Sequence, residues 1–167
     1  MGDFLKLING EVSEGNAVDV SAGAADAGKL VKLGAGGKFD ASMIEGGIES
    51  RSMTASEALS AGDIINIWND AGTAKMRKAD ADNGRAVDGF VLQAVGNGAS
   101  GTVYLEEAVI SGYVGLTVGA TYWLSTVAGA IVVASPNGNN VLSQIVGKAV
   151  SATELRFRPE IAIKQVA

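Results

Sequence analysis

From position 49 onward the chain reads as short apolar runs cut by polar turns. The runs "DIINIW", "GFVLQAV", "GTVYLEE", "TYWLS", "AIVVA", "NVLSQIVGKAV" and "ELRFR" are separated by "NDAGT", "ADNGR", "GNGASG" and "SPNGNN". Runs this short, rich in Val, Ile, Tyr and Phe and bounded by Gly, Asn and Asp, predict β-strands joined by tight turns. Their regular recurrence predicts an all-β fold, a small antiparallel barrel or sandwich over residues 49–167. One stretch, "TASEALSAG", reads instead as a brief helix capped by Thr54 or Ser56. Residues 1–48 have a different texture: Gly- and Ala-rich, weakly periodic, and broken by "NGE", "EGN", "AGAA" and "GAGG". They predict an extended N-terminal arm carrying short strands, among them "KLVKL" and "KFDASMI" on either side of "GAGG".

The β region repeats itself. "LSAGDIINI" from Leu59 and "LTVGATYWL" from Leu116 share an order of aliphatic, small, Gly and alternating strand, and Gly62 falls on Gly119. At the same spacing Gly72 of "NDAGTAKM" falls on Gly129 of "TVAGAIVV". One residue further out, Gly89 of "VDGFVLQAV" falls on Gly147 of "IVGKAVSAT". Glycines in near register mark shared backbone requirements, so two pseudo-repeats are expected, over about residues 49–107 and 108–160.

Composition then narrows the function. A chain of 167 residues can bury roughly 70% of its unfolded surface, enough for a real core. With 23 Gly, 2 Pro and few aromatics, compactness has to come from many turns and small aliphatic side chains. The sequence holds no Cys and no His, which removes disulfides, thiolate sites and the commonest general base and metal ligand. The net charge of −5 opposes a phosphate backbone, so no nucleic-acid partner is expected. Lys148, Arg156, Arg158 and Lys164 against Glu154 and Glu160 make the tail from 148 onward positive, which reads as a solvated strand face. "MGDFLKLING" lacks the pattern of a secretory leader, and no run of membrane-spanning length is free of breaks, so neither export by that route nor a membrane partner is expected.

Between positions 108 and 147 there is no charged residue, although 19% of the chain is charged. A solvated sheet face normally carries interspersed charge. The same stretch holds Tyr113, Tyr122 and Trp123, residue types suited to interfaces because a large apolar body ends in a polar tip. These three are the expected subunit interface, beside the plainer reading of a well-buried second repeat.

Candidate chemistry is thin. "GAADAGKL" approaches a phosphate-binding loop through Gly23, Gly28 and Lys29, but Leu30 stands where the Mg²⁺-holding hydroxyl belongs, and Gly34, Gly36 and Gly37 prevent a following helix. Glu106 and Glu107 are adjacent and on a strand point to opposite faces. "DADNG", with Asp80, Asp82 and Asn83, resembles a calcium loop but lacks its sixth-position glycine and twelfth-position glutamate. No Ser has a histidine to activate it. No catalytic, cofactor or metal site is expected, and the protein is not expected to be an enzyme.

"ADAGKLVKLGAGGKFDASMI", "SAGDIINIWNDAGTAKMRKADADNGRAVDGFVLQAVGNGASGTVYLEE" and above all "GLTVGATYWLSTVAGAIV" with "NVLSQIVGKAVSATELRFRPE" resemble tailed-bacteriophage virion proteins. The similar proteins are capsid decoration (cement) proteins and the β-domains of phage fibres. The resemblance runs from about Ala25 to Glu160 and carries no catalytic signature. It implies a β-rich protein made in the host bacterial cytoplasm and added to the outer surface of the mature shell, with the major capsid protein and itself as partners, commonly as a homotrimer. The start at Met1 and the lack of a collagen-like or coiled-coil shaft favour a stand-alone decoration protein over a fibre module that recognises a host surface. In such a protein the Gly-punctuated arm is suited to cross a subunit boundary and add strands to a neighbour. Phe4, Leu5, Leu7, Ile8, Leu30, Val31, Leu33 and Phe39 are its expected apolar contacts.

Overall fold

The computed structural model describes residues 4–8, 11–19, 23–27, 29–34, 36–37, 50–105 and 107–166. The chain divides into two compact units, Met1–Gly47 and Ile48–Ala167.

In the first unit, β1 (Phe4–Ile8) and β2 (Glu11–Gly15) form an antiparallel pair in which Leu7 faces Val12 and Phe4 faces Gly15. The Phe4 ring lies over Gly15, where a Cβ would collide with it. A short 3₁₀ turn spans Gly23–Asp26. "KLVKL" contributes a single parallel bridge, Val31 to Val18, where a strand was expected. "KFDASMI" lies outside the described residues.

The second unit is all β. Its first half consists of β3 (Ser50–Ala55), β4 (Ile64–Asp70), β5 (Thr73–Lys78), β6 (Gly89–Phe90) and β7 (Ser100–Tyr104). These close a five-stranded barrel in the order β3-β5-β4-β6-β7. All its pairings are antiparallel except β3 with β5, a short parallel contact through Thr54–Lys75 and Ala55–Met76. Thr54 and Ala55 are thus strand residues, and Leu59 bridges Val95, so the helix expected at "TASEALSAG" is replaced by a strand end and a turn. Pairing with β5 and the bridge to Val95 supply the backbone hydrogen bonds, and tertiary pairing overrides the local helical preference of Ala, Glu and Leu.

The second half is a sheet of β8 (Ala108–Ser111), β9 (Thr121–Leu124), β10 (Ile131–Val132), β12 (Ile145–Ala149) and β13 (Glu154–Phe157). A separate pair joins β11 (Leu142–Ser143) to β14 (Ile163–Lys164). The sheet order is β10-β9-β12-β13-β8. With β4 matched to β9, β5 to β10, β6 to β12, β7 to β13 and β3 to β8, this is the barrel's own order. The difference is closure, since no pairing of β8 with β10 completes the second ring.

The duplication extends to single hydrogen bonds. Gly62 N–H donates to Val91 O and Val91 N–H to Asp63 O; in the second copy Gly119 donates to Ala149 O and Ala149 to Ala120 O. Gly62 and Gly119 both have positive φ, 84° and 80°, and so do Gly72 and Gly129, at 90° and 79°. The two-pseudo-repeat architecture read from the glycines is therefore the architecture observed.

Two cores result. Ala55, Leu59, Ile65, Met76, Val91, Val95 and Val103 fill the barrel. Ile64, Phe90, Ile110, Leu124, Val146, Leu155 and Phe157 belong to the larger core shared by both repeats. Ile64 and Ile65 alternate between them, as do Phe90 and Val91, because successive residues on a strand face opposite ways. That double burial explains the adjacent apolar pairs in "DIINIW" and "GFV". Phe90 stacks on Tyr104 at 5.3 Å and meets the edge of Phe157 at 4.9 Å, so one ring joins the repeats.

Candidate interaction surfaces

Among the described residues no group of three or more acidic side chains is placed to hold a metal ion. Asp80 Oδ1 accepts the N–H groups of Asp82 and Asn83, and Oδ2 accepts Asn83 Nδ2 at 2.6 Å. The side chain folds the turn that the Asp80–Arg85 bridge closes. Lys29 Nζ lies 2.6 Å from Asp26 Oδ1, so the cation of the apparent phosphate loop is neutralised locally. Glu107 pairs with Arg156 and Arg158 at 3.5 and 2.9 Å, all three well exposed, as a solvated strand face would be. Arg156 and Arg158 line a shallow pocket of about 300 Å³ with Lys148 and Glu160.

Buried polar groups serve the scaffold. Gln144 is 4% exposed. Its Oε1 accepts the Val87 N–H at 2.7 Å, while Nε2 donates to Val87 O at 3.2 Å and Glu160 O at 2.9 Å. An amide side chain thus imitates a strand and ties the second repeat to the first. Asn66 acts similarly, donating to Ala86 O and Asp88 and accepting from Arg77 Nε. Arg77 sits 4.9 Å above the Trp68 ring; burial, with the nearby Arg85 charge, lowers its pKa.

Of the three expected interface aromatics, Tyr122 is core. It is 7% exposed and its Oη accepts the Thr117 N–H at 2.9 Å, which leaves little side-chain surface for a second chain. Tyr113 is half-buried against the shared core and donates from Oη to Gly62 O at 3.1 Å. Burial, with a smaller contribution from Asp63, pushes its phenol pKa well above the usual value. Trp123 is half-buried between Val132 and Ile145 on neighbouring strands. The uncharged stretch also contributes side chains that sequence reasoning passed over: Val109, Val114, Val118, Val127 and Val133 are exposed, Val114 to 92%. Buried packing therefore accounts for only part of the missing charge.

Of the arm residues, Leu5, Leu30, Val31 and Leu33 are exposed, Leu5 to 71%. Phe4, Leu5 and Leu30 line a groove of about 670 Å³ in the first unit with Lys6, Val18 and Lys29. Leu7 and Ile8 occupy β1 opposite Val12 and Glu11, and Phe39 lies outside the described residues.

Neither a family model, nor a curated protein, nor a solved structure matches this chain. Function has to be read from these surfaces.

Proposed function

We propose that the protein is a structural virion component, a decoration or cement protein on the outer surface of a mature bacteriophage shell. In this reading it is not an enzyme; it bridges neighbouring major capsid subunits and associates with itself as a homotrimer. The observation that carries the proposal is the exposure of aliphatic side chains along a stretch of sequence that holds no charged residue: five exposed valines within positions 108–147. Exposed apolar side chains grouped in an uncharged stretch suit a surface covered by protein. The first unit, where Leu5, Leu30, Val31 and Leu33 are exposed, supplies a second contact, to a neighbouring shell subunit.

The mechanism is mass action. A protein that binds the expanded shell and not its precursor stabilises the expanded state in proportion to its occupancy. Quantitative mass spectrometry of purified particles tests the role. Copy number close to that of the major shell protein is expected. A handful of copies per particle would reassign the protein to a fibre or receptor-binding module.

A further inference from the structure

The two repeats differ in how their corresponding strands are connected. In the second copy β12 runs into β13 through a short turn, residues 150–153, and the two strands pair through Gly147–Phe157, Lys148–Arg156 and Ala149–Leu155. In the first copy β6 pairs with β7 through Phe90–Tyr104 alone, and the connection is the longer excursion 91–99, "VLQAVGNGA". Extra length on a rigid scaffold is where binding groups are commonly placed. The excursion is fixed to the barrel. Val95 N–H donates to Leu59 O at 3.0 Å and Leu59 N–H to Val95 O at 2.8 Å, while Ala55 N–H donates to Ala99 O at 2.9 Å and Gly98 N–H to Ala55 O at 2.8 Å.

Where the excursion leaves β7 it opens a cavity of about 350 Å³, whose walls include Leu92, Gln93, Ala94, Ser100, Thr102 and Tyr104. None of its lining residues is charged, in a chain of which 19% is charged. Gly101 and Val103 face the barrel core, so Ser100, Thr102 and Tyr104 share the outer face of β7. Across β3 they stand opposite Thr54, Ser52 and Ser50, which makes three successive cross-strand pairs with a hydroxyl on both members. The side chains of Gln93, Ser100, Thr102 and Tyr104 make no hydrogen bond to any described residue. The cavity thus combines free hydrogen-bonding groups with no counter-charge. A phosphate or carboxylate would lose its hydration there without meeting a cation. An aliphatic ligand would leave the amide and hydroxyls without partners.

We propose that this cavity binds a neutral saccharide, one ring seated between Gln93 and Thr102 and the next lying over the hydroxyl pairs of β3 and β7. Leu92, 41% exposed, and Ala94 give the C–H face of the ring an apolar contact. The volume is at the small end of ligand sites, which suits a short saccharide. This goes beyond the shell-binding role and does not rest on it.

Amide chemical shifts of the nitrogen-15-labelled full chain, titrated separately with maltose, lactose, mannobiose and N,N′-diacetylchitobiose, test the proposal. Saturable shifts confined to residues 91–104 are expected with at least one of these disaccharides. Thr102→Val keeps the β-branched shape and removes the hydroxyl. It should raise that Kd about fivefold, the worth of one net hydrogen bond, with the urea midpoint unchanged. Gln93→Ala, on the exposed connection, makes the same test should Thr102→Val melt early. Glucose 6-phosphate should bind no more tightly than glucose. The proposal is overturned by the absence of saturable shifts with all of the disaccharides, by shifts centred elsewhere, by an unchanged Kd in both variants, or by tighter binding of the phosphate ester. Shifts at 91–104 from an extended Val-Thr peptide and from no disaccharide would make the gap a place for strand addition and overturn it equally. Virion copy number bears on the capsid role alone, so the two readings fail separately.

Discussion

Gly89 and Gly147 occupy the same place in successive repeats: a Cβ on Gly89 would run into the carbonyl oxygen of Tyr104, and one on Gly147 into that of Arg156. Each lies where its strand is crossed closely by the next, β7 in one case and β13 in the other. The closeness is between backbones, so no side-chain rotation relieves an added methyl. Gly147→Ala is expected to lower unfolding free energy by at least about 2 kcal/mol, the cost of overpacking a rigid interior. Gly89→Ala should cost a similar amount. Urea denaturation of both variants measures it, and a neutral result at either site would break the equivalence of the repeats.

Gln144 provides an independent test of how the repeats are joined. Leucine at this position has similar bulk but leaves the Val87 N–H and C=O without their partners. Each orphaned buried group costs about 1–3 kcal/mol. Gln144→Leu should therefore destabilise by about 2–4 kcal/mol, with Gln144→Glu intermediate at low pH, where a protonated carboxyl can both donate and accept. Chemical denaturation between pH 4 and 7 separates the two variants.

These joints were the least legible part of the sequence. Strands β4, β9 and β13 stood out because their apolar residues alternate or run continuously between turn residues, and the glycine spacing revealed the duplication. Gln144 did not, because a polar residue beside Ser143 in "NVLSQIVGKAV" reads as the solvent side of a strand. Tyr122 was assigned by residue type, although its period-two phase with Leu124 places both on the inner face. The bonds of Gly129 to Ile64 and Ala79 link positions far apart in the chain through main-chain groups, which leave no compositional trace. The exposed valines were hidden for a related reason: hydropathy alone does not say which apolar residues a fold leaves uncovered.

Tyr113 predicts a pH dependence. Its folded pKa is raised above the ordinary tyrosine value of 10.0, first by burial and then by Asp63. The folded state thus holds this proton more tightly than the unfolded chain does. The stabilisation is complete below about pH 10 and is lost as pH climbs toward the folded pKa, with a slope approaching about 1.4 kcal/mol per pH unit for one proton. Tyr113→Phe should cost about 1 kcal/mol at pH 7 through the lost bond to Gly62 O. Its stability should then fall less steeply than wild type between pH 10 and 11. Parallel slopes would show that the phenol is not held neutral by the fold.

Trp123 distinguishes assembly from folding. Its side chain lies opposite Val132 and Ile145 on adjoining strands and is only half-buried, while its neighbours Tyr122 and Leu124 point into the core. A fully buried tryptophan truncated to alanine costs about 3–5 kcal/mol. Half-burial on the outer face should limit the folding cost to about 1–2 kcal/mol. If the same face is covered by a second copy, truncation also removes area from that contact, and interface tryptophans commonly contribute more than 2 kcal/mol to association. Trp123→Ala should therefore shift the oligomer toward monomer by more than tenfold in dissociation constant, while the monomer still unfolds cooperatively. Light scattering across a dilution series, beside urea denaturation at a concentration where both proteins are monomeric, resolves the two effects. A large loss of folding stability with unchanged dissociation would make Trp123 part of the fold's own packing and exclude it from the subunit contact.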